Sequence, residues 1–315
     1  MKHSYVRATL NQETNTIRMI SARAMAAAAT ARRVAMTLLL ATFTAATAWA
    51  DSSFGGGSGT LQDPYLIGTP QHLRQLAADV NDGNDYEGKY FKMTQSFSLW
   101  IEPFTPIGGK YYTEGSGKDQ STGTRKFCGT FDGNRYEISD LQIHESDEFY
   151  AIGLFGELGY GAVVKNLTIG RFESKVNSVI MGWGNCGAIA GSVSSGAGIY
   201  DCHVESDITV SVDPDNLAQN VENNKDFGGI VGENLGIISG CTSRATVTNA
   251  GCQGVNRLGG IVGYNGGSVS SCISLATVVG SNQVGAIAGN CGDNYAFSKR
   301  YQERTPRSVA VLRPN

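Results

Sequence analysis

Glycine is absent from the first fifty residues of this chain, although the whole sequence of 315 residues contains 41 glycines. That leading segment instead carries Arg32 and Arg33, then an apolar stretch at 36–50 that ends in Ala-Trp-Ala. Charge, apolar stretch and small residues in this order are typical of a secretory signal peptide. We therefore expect cleavage between Ala50 and Asp51 and export of the remaining chain.

Long apolar runs and basic charge are also scarce. The run from Val34 covers about 17 residues rich in Ala and Thr, which is short for a span of roughly 20 strongly apolar residues. A membrane anchor is the alternative to a signal peptide, but we expect no membrane span in the mature chain. Removing six basic and one acidic residue with the leader changes the net charge from −3 to −8. Such an acidic body argues against nucleic acid as a partner.

Recognisable catalytic and metal motifs are missing as well. The histidines show no metal-ligand spacing; they are His3, His72, His144 and His203. The segment 115–119 lacks the first glycine and the Ser or Thr of a phosphate loop. The acidic run 79–85 has its glycine at the fifth position, where a calcium loop needs it at the sixth. Asp213 and Asp215 suit weak cation binding, although solvated acids are the ordinary explanation. We expect no cofactor and no metal.

What the chain does contain is a repeated Gly-rich pentad. Its five copies are IGLFG (152–156), GAIAG (187–191), GGIVG (228–232), GGIVG (259–263) and GAIAG (285–289). A second element rich in β-branched and small residues follows the first four copies; it begins at Val163, Ile199, Ile237 and Ser268. Repeats of this length that cannot bury an apolar face alone predict stacked coils. Turns and alternating apolar residues predict strands. The fold class is therefore an all-β, parallel β-helix-like solenoid of about five repeats.

The repeats also predict which residues form the core. In the pentads, large apolar residues should point inward and stack: Leu154, Phe155, Ile189, Ile230, Ile261 and Ile287. The pentad glycines should allow close backbone approach and tight corners; they are Gly153, Gly156, Gly187, Gly191, Gly228, Gly232, Gly259, Gly263, Gly285 and Gly289. In the second element one position should form another buried ladder: Leu167, Cys202, Cys241 and Cys272.

The seven cysteines raise the question of disulfides in an exported protein. Equivalent residues in neighbouring coils lie ~4.8 Å apart. A disulfide prefers a Cβ separation of ~3.8 Å, so the ladder favours unpaired buried thiols. The cysteines outside the ladder are expected to pair more readily; they are Cys128, Cys186, Cys252 and Cys291.

One helix is expected at 69–80. Thr69 suits the N-cap, Pro70 suits the first turn, and Asn81-Asp82-Gly83 suits the end. Leu73, Leu76, Ala77 and Val80 form its apolar stripe. We expect the helix to cover the N-terminal end of the solenoid. The expected domains are a leader (1–50), a capping region (51–144), the repeat solenoid (145–291) and an irregular basic tail (292–315).

The pentads, and above all the copy at 152–156, resemble the GLUG motif repeats of bacterial secreted and surface proteins. Segments 56–93 and 128–143 resemble the same proteins. The family usually has an Asp-Ile-Asp-Leu run where this chain has Ser96-Phe97-Ser98-Leu99. The resemblance implies a β-solenoid found on adhesin-like proteins and in the non-catalytic parts of secreted peptidases. It implies no shared activity.

The leader resembles the extended signal peptide region of Gram-negative type V secretion passengers, known as autotransporters. The matching features are Tyr5, Asn11 and the close Ser21-Ala22-Arg23. The resemblance implies contact with the secretion machinery. A misassigned start codon is the alternative, with Met19, Met25 or Met36 as the true start. The tail is expected to be either the end of a truncated passenger or an odd end of a secreted solenoid.

These features favour an exported, non-enzymatic, adhesin-like module at the cell surface or outside the cell. Its partner would be an unidentified glycan or protein of a host or neighbouring cell, with loops 110–126 and 213–226 giving specificity. The alternative is a carbohydrate-active β-helix enzyme, a lyase or glycosidase, which would use acids on one strand face: Asp201, Glu205 and Asp207. A third possibility is the non-catalytic region of a secreted peptidase.

Overall fold

The computed structural model describes residues 53–116, 120–145, 148–182, 184–212, 225–249, 255–280 and 283–292. These residues contain thirty strands and one helix. All but two of the strands lie in five stacks in which each strand pairs in parallel with the equivalent strand of the next coil. This arrangement confirms the predicted β-solenoid. The leader with its cleavage position, the insert residues 213–224, Cys252 and the tail after 292 lie outside the described residues.

Each complete coil contributes one strand to each stack. Stack A contains β1 (Tyr65–Ile67), β2 (Tyr90–Met93), β6 (Thr130–Asp132), β11 (Val163–Lys165), β16 (Gly198–Tyr200), β21 (Ile237–Ser239) and β26 (Ser268–Ser270). Stack B contains β3 (Phe97–Ser98), β7 (Glu137–Ser139), β12 (Thr168–Ile169), β17 (His203–Val204), β22 (Thr242–Ser243) and β27 (Ile273–Ser274). Stack C contains β8 (Gln142–Glu145), β13 (Ser178–Gly182), β18 (Ile208–Val212), β23 (Thr246–Thr248) and β28 (Thr277–Val279).

The remaining two stacks flank the Gly-rich pentads. Stack D contains β9 (Ala151–Ile152), β14 (Asn185–Gly187), β19 (Lys225–Gly228), β24 (Val255–Gly259) and β29 (Val284–Gly285). Stack E contains β10 (Phe155–Leu158), β15 (Ala190–Val193), β20 (Val231–Asn234), β25 (Val262–Asn265) and β30 (Ala288–Cys291). The chain therefore runs through each coil in the order D, E, A, B, C.

The pentad is a corner between stack D and stack E. Its large third residue fills that corner from the inside and is fully buried at Leu154, Ile189, Ile230 and Ile261. In the last described coil the equivalent residue, Ile287, is only partly buried. A Cβ on the pentad glycine that ends β24, Gly259, would lie 1.9 Å from the carbonyl oxygen of Val262. Close backbone approach explains the glycine at this corner.

The second repeated element differs from its prediction as a single strand. In each coil the structure divides it into a stack A strand and a stack B strand. The residue between them has a left-handed backbone, with φ of 52° at Asn166, 50° at Asp201 and 70° at Gly240. Because the chain turns at this residue, the side chains before and after it do not alternate on one sheet.

The cysteines are packed as core residues. Leu167, Cys202 and Cys241 are fully buried, and Cys272 packs against them at the next rung. All six described cysteines are free, so the expected pairing among Cys128, Cys186 and Cys291 is wrong. Cys186 is instead in register with Ile152 and Phe227 in a buried column of stack D, which gives its thiol no cysteine partner.

Helix α1 (Pro70–Asn81) begins and ends one residue later than predicted. Thr69 Oγ1 accepts a hydrogen bond from the backbone N–H of His72 at 3.3 Å, which makes Thr69 the N-cap. The predicted apolar stripe is buried in the solenoid core; it comprises Leu73, Leu76, Ala77 and Val80. The helix lies in the first coil between β1 and β2, where Asn81 Nδ2 donates to the carbonyl oxygen of Pro106 at 2.9 Å. Among the described residues, no helix has the length and apolar character needed to cross a membrane.

Candidate ligand-binding groove

The acids that the sequence singled out do not share one strand face; they are Asp201, Glu205 and Asp207. Strand β17 is only two residues long, and Asp201 lies at the corner before it. Glu205 forms ion pairs with Arg171 Nε at 3.2 Å and Arg244 Nη1 at 3.5 Å. Asp207 Oδ2 accepts a hydrogen bond from the backbone N–H of Arg171 at 2.9 Å. Because Glu205 and Asp207 have these partners and Asp201 lies at another corner, the arrangement argues against a catalytic pair here.

Two other acids belong to a row of polar residues on the outer face of stack E, which we call the acidic row. The residue that follows each pentad is in register with its equivalent in the next coil; the row reads Glu157, Ser192, Glu233, Tyr264 and Asn290. Sequence reasoning missed this row because it concentrated on the pentads themselves. The signal was present, since the first position after a pentad is polar in all five copies.

Glu157 is almost fully buried, with 5% of its surface exposed. Its Oε1 pairs with Lys126 Nζ at 2.8 Å, and its Oε2 accepts a hydrogen bond from the hydroxyl of Thr124. Ser194 Oγ lies 3.5 Å from Oε1. This carboxylate therefore ties the segment 124–126 to the wall of the solenoid.

Glu233 holds the side chain of Tyr150. Its Oε2 accepts hydrogen bonds from Tyr150 Oη at 2.9 Å, Asn185 Nδ2 at 3.0 Å and Ser192 Oγ at 3.4 Å. Burial, followed by the charge and hydrogen bond of Glu233, raises the pKa of Tyr150 well above its ordinary value. The phenol therefore stays protonated and continues to donate.

A third acid, Asp226, is the second residue of β19, two residues before the pentad glycine Gly228, and is 1% exposed. Its Oδ2 accepts a hydrogen bond from Arg257 Nη2 at 3.0 Å, and its Oδ1 lies 2.5 Å from Arg257 Nε without good hydrogen-bond alignment. Burial raises the pKa of Asp226 to about 7 against the lowering effect of Arg257. Asp226 and Lys225 were expected in the bulging insert 213–226 but belong to β19.

A hairpin leaves the solenoid beside this acidic row. It consists of β4 (Tyr111–Glu114) and β5 (Ser121–Thr124). These two strands pair antiparallel, whereas the other strands of the described ranges pair in parallel. The chain departs after Ile107, which bridges to Phe155, and returns at Phe127, which bridges to Leu158. Both anchor points therefore lie on the same strand, β10. The described residues of the loop predicted at 110–126 thus form an insertion within one rung.

Between the hairpin and the solenoid lies a cavity of about 520 Å³, which we name the hairpin groove. Its lining residues are Tyr111, Tyr112, Thr113, Thr122, Gly123, Thr124 and Tyr150. The rings of Tyr111 and Tyr150 meet edge to face, with centroids 6.3 Å apart and planes at 70°. Half of the Tyr111 surface is exposed. The groove therefore presents aromatic faces and hydroxyls together.

A second cavity, of about 360 Å³, lies beside helix α1. Three of its four charged lining residues have partners already. Arg74 donates to the carbonyl oxygens of Glu102 and Pro103 at 2.7 Å each, and Lys110 pairs with Glu148 at 3.2 Å. Within the described ranges, no group of three or more His, Cys, Asp or Glu side chains is arranged to hold a metal ion. The hairpin groove is therefore the stronger candidate site.

No protein-family model matches the chain. It is 34% identical over 127 residues to a protein described as a Gly-rich membrane protein from Evansella cellulosilytica, covering 38% of this chain and 12% of that protein. It is 29% identical over 138 residues to halomucin from Haloquadratum walsbyi, covering 43% of this chain and 1% of halomucin. The chain thus spans a small part of the curated relatives that it matches.

The fold is similar to that in a crystal structure described as an immunoglobulin A1 protease from Bacteroides ovatus. The TM-score is 0.53, the identity is 21%, and the match covers 78% of this chain and 67% of the other. At this identity the likeness establishes the fold alone. Together with the stacked rungs, it defines the class of the protein as a Gly-rich β-solenoid.

Proposed function

We propose that this chain is an exported, non-enzymatic β-solenoid that works as an adhesin-like attachment module. The observation that carries the proposal is the hairpin groove, an exposed aromatic and hydroxyl surface on an insertion held by a rigid parallel stack. Binding residues placed on loops that a rigid scaffold positions are a common way to build recognition. The partner would be a glycan or protein on a host or neighbouring cell.

Location at the cell surface or outside the cell is part of the same proposal. The similarity to a protein described as a membrane protein supports a surface location. The resemblance of the pentads to GLUG repeats and of the leader to the extended signal peptide region of autotransporter passengers points the same way. In this proposal the leader engages the secretion machinery of a Gram-negative cell, and the solenoid displays the groove away from the membrane.

A carbohydrate-active enzyme is the second candidate, and one observation favours it. Glu157 and Glu233 are two coils apart in one row, so their Cα atoms are separated by ~9.6 Å. Inverting glycosidases separate their carboxyl groups by roughly 6.5–9.5 Å, so a Cα spacing of ~9.6 Å lies at the upper limit of that range. Against this, Glu157 is buried against Lys126 and Glu233 accepts three hydrogen bonds, so both acids serve structural contacts.

The name of the solved neighbour also supports the idea of a solenoid beside a peptidase domain.

Retention on arrayed surfaces tests the attachment proposal. The purified full chain would be applied to mucin-type glycans, plant glycans and extracellular matrix proteins, while released reducing ends are measured in the same wells. We expect retention without release. Release of reducing ends that Glu157→Gln abolishes would establish the enzyme instead. Failure to be retained on any surface would refute the attachment role.

A further inference from the structure

The hairpin groove has the chemistry of a site for an uncharged glycan. We infer that it binds a neutral oligosaccharide, with the exposed ring of Tyr111, held edge to face by Tyr150, as the aromatic platform for one sugar face. This inference rests on the proposed attachment function and names its ligand class. Three features of the groove support it: the fixed aromatic rings, the hydroxyls of the hairpin and the balanced charges around them.

The aromatic platform is held in place before any ligand arrives. Tyr150 is fixed at its phenol by Glu233, at 2.9 Å, and at its backbone N–H by the carbonyl oxygen of Gly109, at 2.9 Å. Tyr111 is fixed by its backbone N–H, which donates to the carbonyl oxygen of Glu148 at 2.9 Å, and by its edge-to-face contact with Tyr150. Side chains that are ordered in the free protein lose little entropy on binding. The half-exposed ring of Tyr111 therefore offers a fixed apolar face that suits the C–H face of a sugar.

The hairpin supplies hydroxyls next to these rings. Thr113 and Thr122 are cross-strand partners, both exposed and both in the groove lining. A threonine hydroxyl donates and accepts hydrogen bonds, as a sugar hydroxyl does. Thr124 differs from them, because its hydroxyl already donates to Glu157. A ligand with alternating apolar faces and hydroxyls therefore matches this mixed lining better than an aliphatic chain would.

The charges around the groove favour an uncharged ligand. Three cations of the hairpin region have carboxylate partners: Arg125 with Glu114 at 2.6 Å, Lys126 with Glu157 at 2.8 Å, and Lys110 with Glu148 at 3.2 Å. A fourth cation, Lys225, lies with its Nζ 6.0 Å from the centroid of the Tyr150 ring. A sialylated or sulfated sugar would have to displace one of these three pairs or place its charge against Lys225 alone. It would also approach the carboxylate of Glu233 behind Tyr150, and like charges in a partly buried site repel each other.

The size of the groove favours a small ligand over a protein surface. Its volume of about 520 Å³ falls within the roughly 300–1,000 Å³ of small-molecule sites. A stable protein partner buries about 800 Å² on each side, which a cleft of this size does not provide. The glycan hypothesis therefore accounts for both the chemistry and the dimensions.

The test compares matched tyrosine variants of the full chain on one glycan array. The array carries neutral mucin-core and plant oligosaccharides, their sialylated or sulfated counterparts, and matrix proteins. Tyr111→Ala removes the exposed ring of the platform. Tyr160→Ala is the control, because Tyr160 is 78% exposed and lies against Gly196 at a different corner. We expect Tyr111→Ala to weaken neutral-glycan binding at least tenfold and Tyr160→Ala to leave it unchanged.

A second pair of variants guards against misfolding of Tyr111→Ala. Thr122→Val keeps the shape of the side chain and removes one groove hydroxyl, and Thr277→Val makes the same change on an exposed threonine of stack C. We expect a threefold to tenfold loss of binding for Thr122→Val alone. The thermal unfolding midpoint of each variant should match that of the parent chain.

The possible outcomes separate the two proposals. Neutral-glycan binding that survives both Tyr111→Ala and Thr122→Val would overturn the groove assignment and leave the attachment function standing. A preference for sialylated or sulfated glycans, or retention on matrix proteins alone, would also overturn it. The absence of retention on every surface would refute both proposals.

Discussion

At the scale of single residues, Asp226 couples the stability of the solenoid to pH. Its carboxyl is buried, and burial raises its pKa to about 7, although Arg257 acts in the opposite direction. In the unfolded chain an aspartate titrates near pH ~4. Between these two values the folded chain binds a proton that the unfolded chain has lost, so stability falls as pH rises. The stabilising contribution is complete below pH ~4 and is lost above pH ~7.

Asp226→Asn should remove this pH dependence, because an amide does not titrate. We expect the thermal unfolding midpoint of the parent chain to fall, relative to that of the variant, as pH rises from 5 to 8. Asp132→Asn is the control, since Asp132 is a more exposed acid that pairs with Lys165 at 3.6 Å. Parallel midpoint profiles for the parent and Asp226→Asn would contradict the shifted pKa.

The thiols of the core should be unreactive in the native protein. Cys186, Cys202 and Cys241 are fully buried, and burial raises the pKa of Cys186, so the thiolate form is disfavoured. We expect alkylation at pH 8 to modify Cys291 before these three, which should react only after denaturation. Mass spectrometry of the alkylated peptides measures this order. A disulfide-linked peptide containing Cys186 would contradict the buried and unpaired position of this thiol.

At the scale of the element, the pentad corner depends on backbone contact. The glycines of β19 and β24 occupy equivalent corners, and a Cβ on Gly228 or Gly259 would lie 1.9 Å from a carbonyl oxygen. Backbone atoms of neighbouring elements cannot move aside as the end of a long side chain can. The repeated glycine is therefore a packing requirement of the corner between stacks D and E.

Gly259→Ala should therefore destabilise the chain strongly. Overpacking a tight site typically costs about 1–3 kcal/mol, and we expect the upper end of that range or more here. Gly88→Ala provides the comparison, because Gly88 has open space around it and a φ of 68°. Its cost should be the roughly 1–2 kcal/mol of a left-handed backbone with a Cβ. Chemical denaturation measures both; equal losses would show that the corner contact is not limiting.

At the scale of the whole molecule, stability in a solenoid is distributed over neighbouring coils. The inner coil that contains β20 is buried on both sides, whereas the described residues of β29 and β30 are only partly buried. We expect amide hydrogen exchange to be slowest in β20, faster in β25 and fastest in β30. Equal protection throughout would instead indicate that all coils unfold as one cooperative unit.

The repeats predicted the solenoid because equivalent layers of one core require the same residue types at the same positions in every layer. The corner residues Leu154 and Ile230 were identifiable for this reason. The corner at Asp201 was not, because a non-glycine residue with left-handed φ carries little sequence signal. The hairpin groove could be predicted only as a loop, since within the described residues a single pair of strands is antiparallel and the internal repeats do not include it. The row containing Glu233 could have been predicted, because a polar residue follows each of the five pentads.

The anchoring of the hairpin at Ile107 and Phe127 has a consequence for how such proteins diversify. Both ends attach to β10, so the length and composition of the segment between them are independent of the register of the coils. Replacing the tip of that segment leaves the rung-to-rung contacts of the stack in place, whereas its base contacts the solenoid at Glu148, Tyr150 and Glu157. One recognition hairpin can therefore be exchanged for another on an unchanged solenoid, as long as the two anchoring bridges and the contacts of the hairpin base are kept.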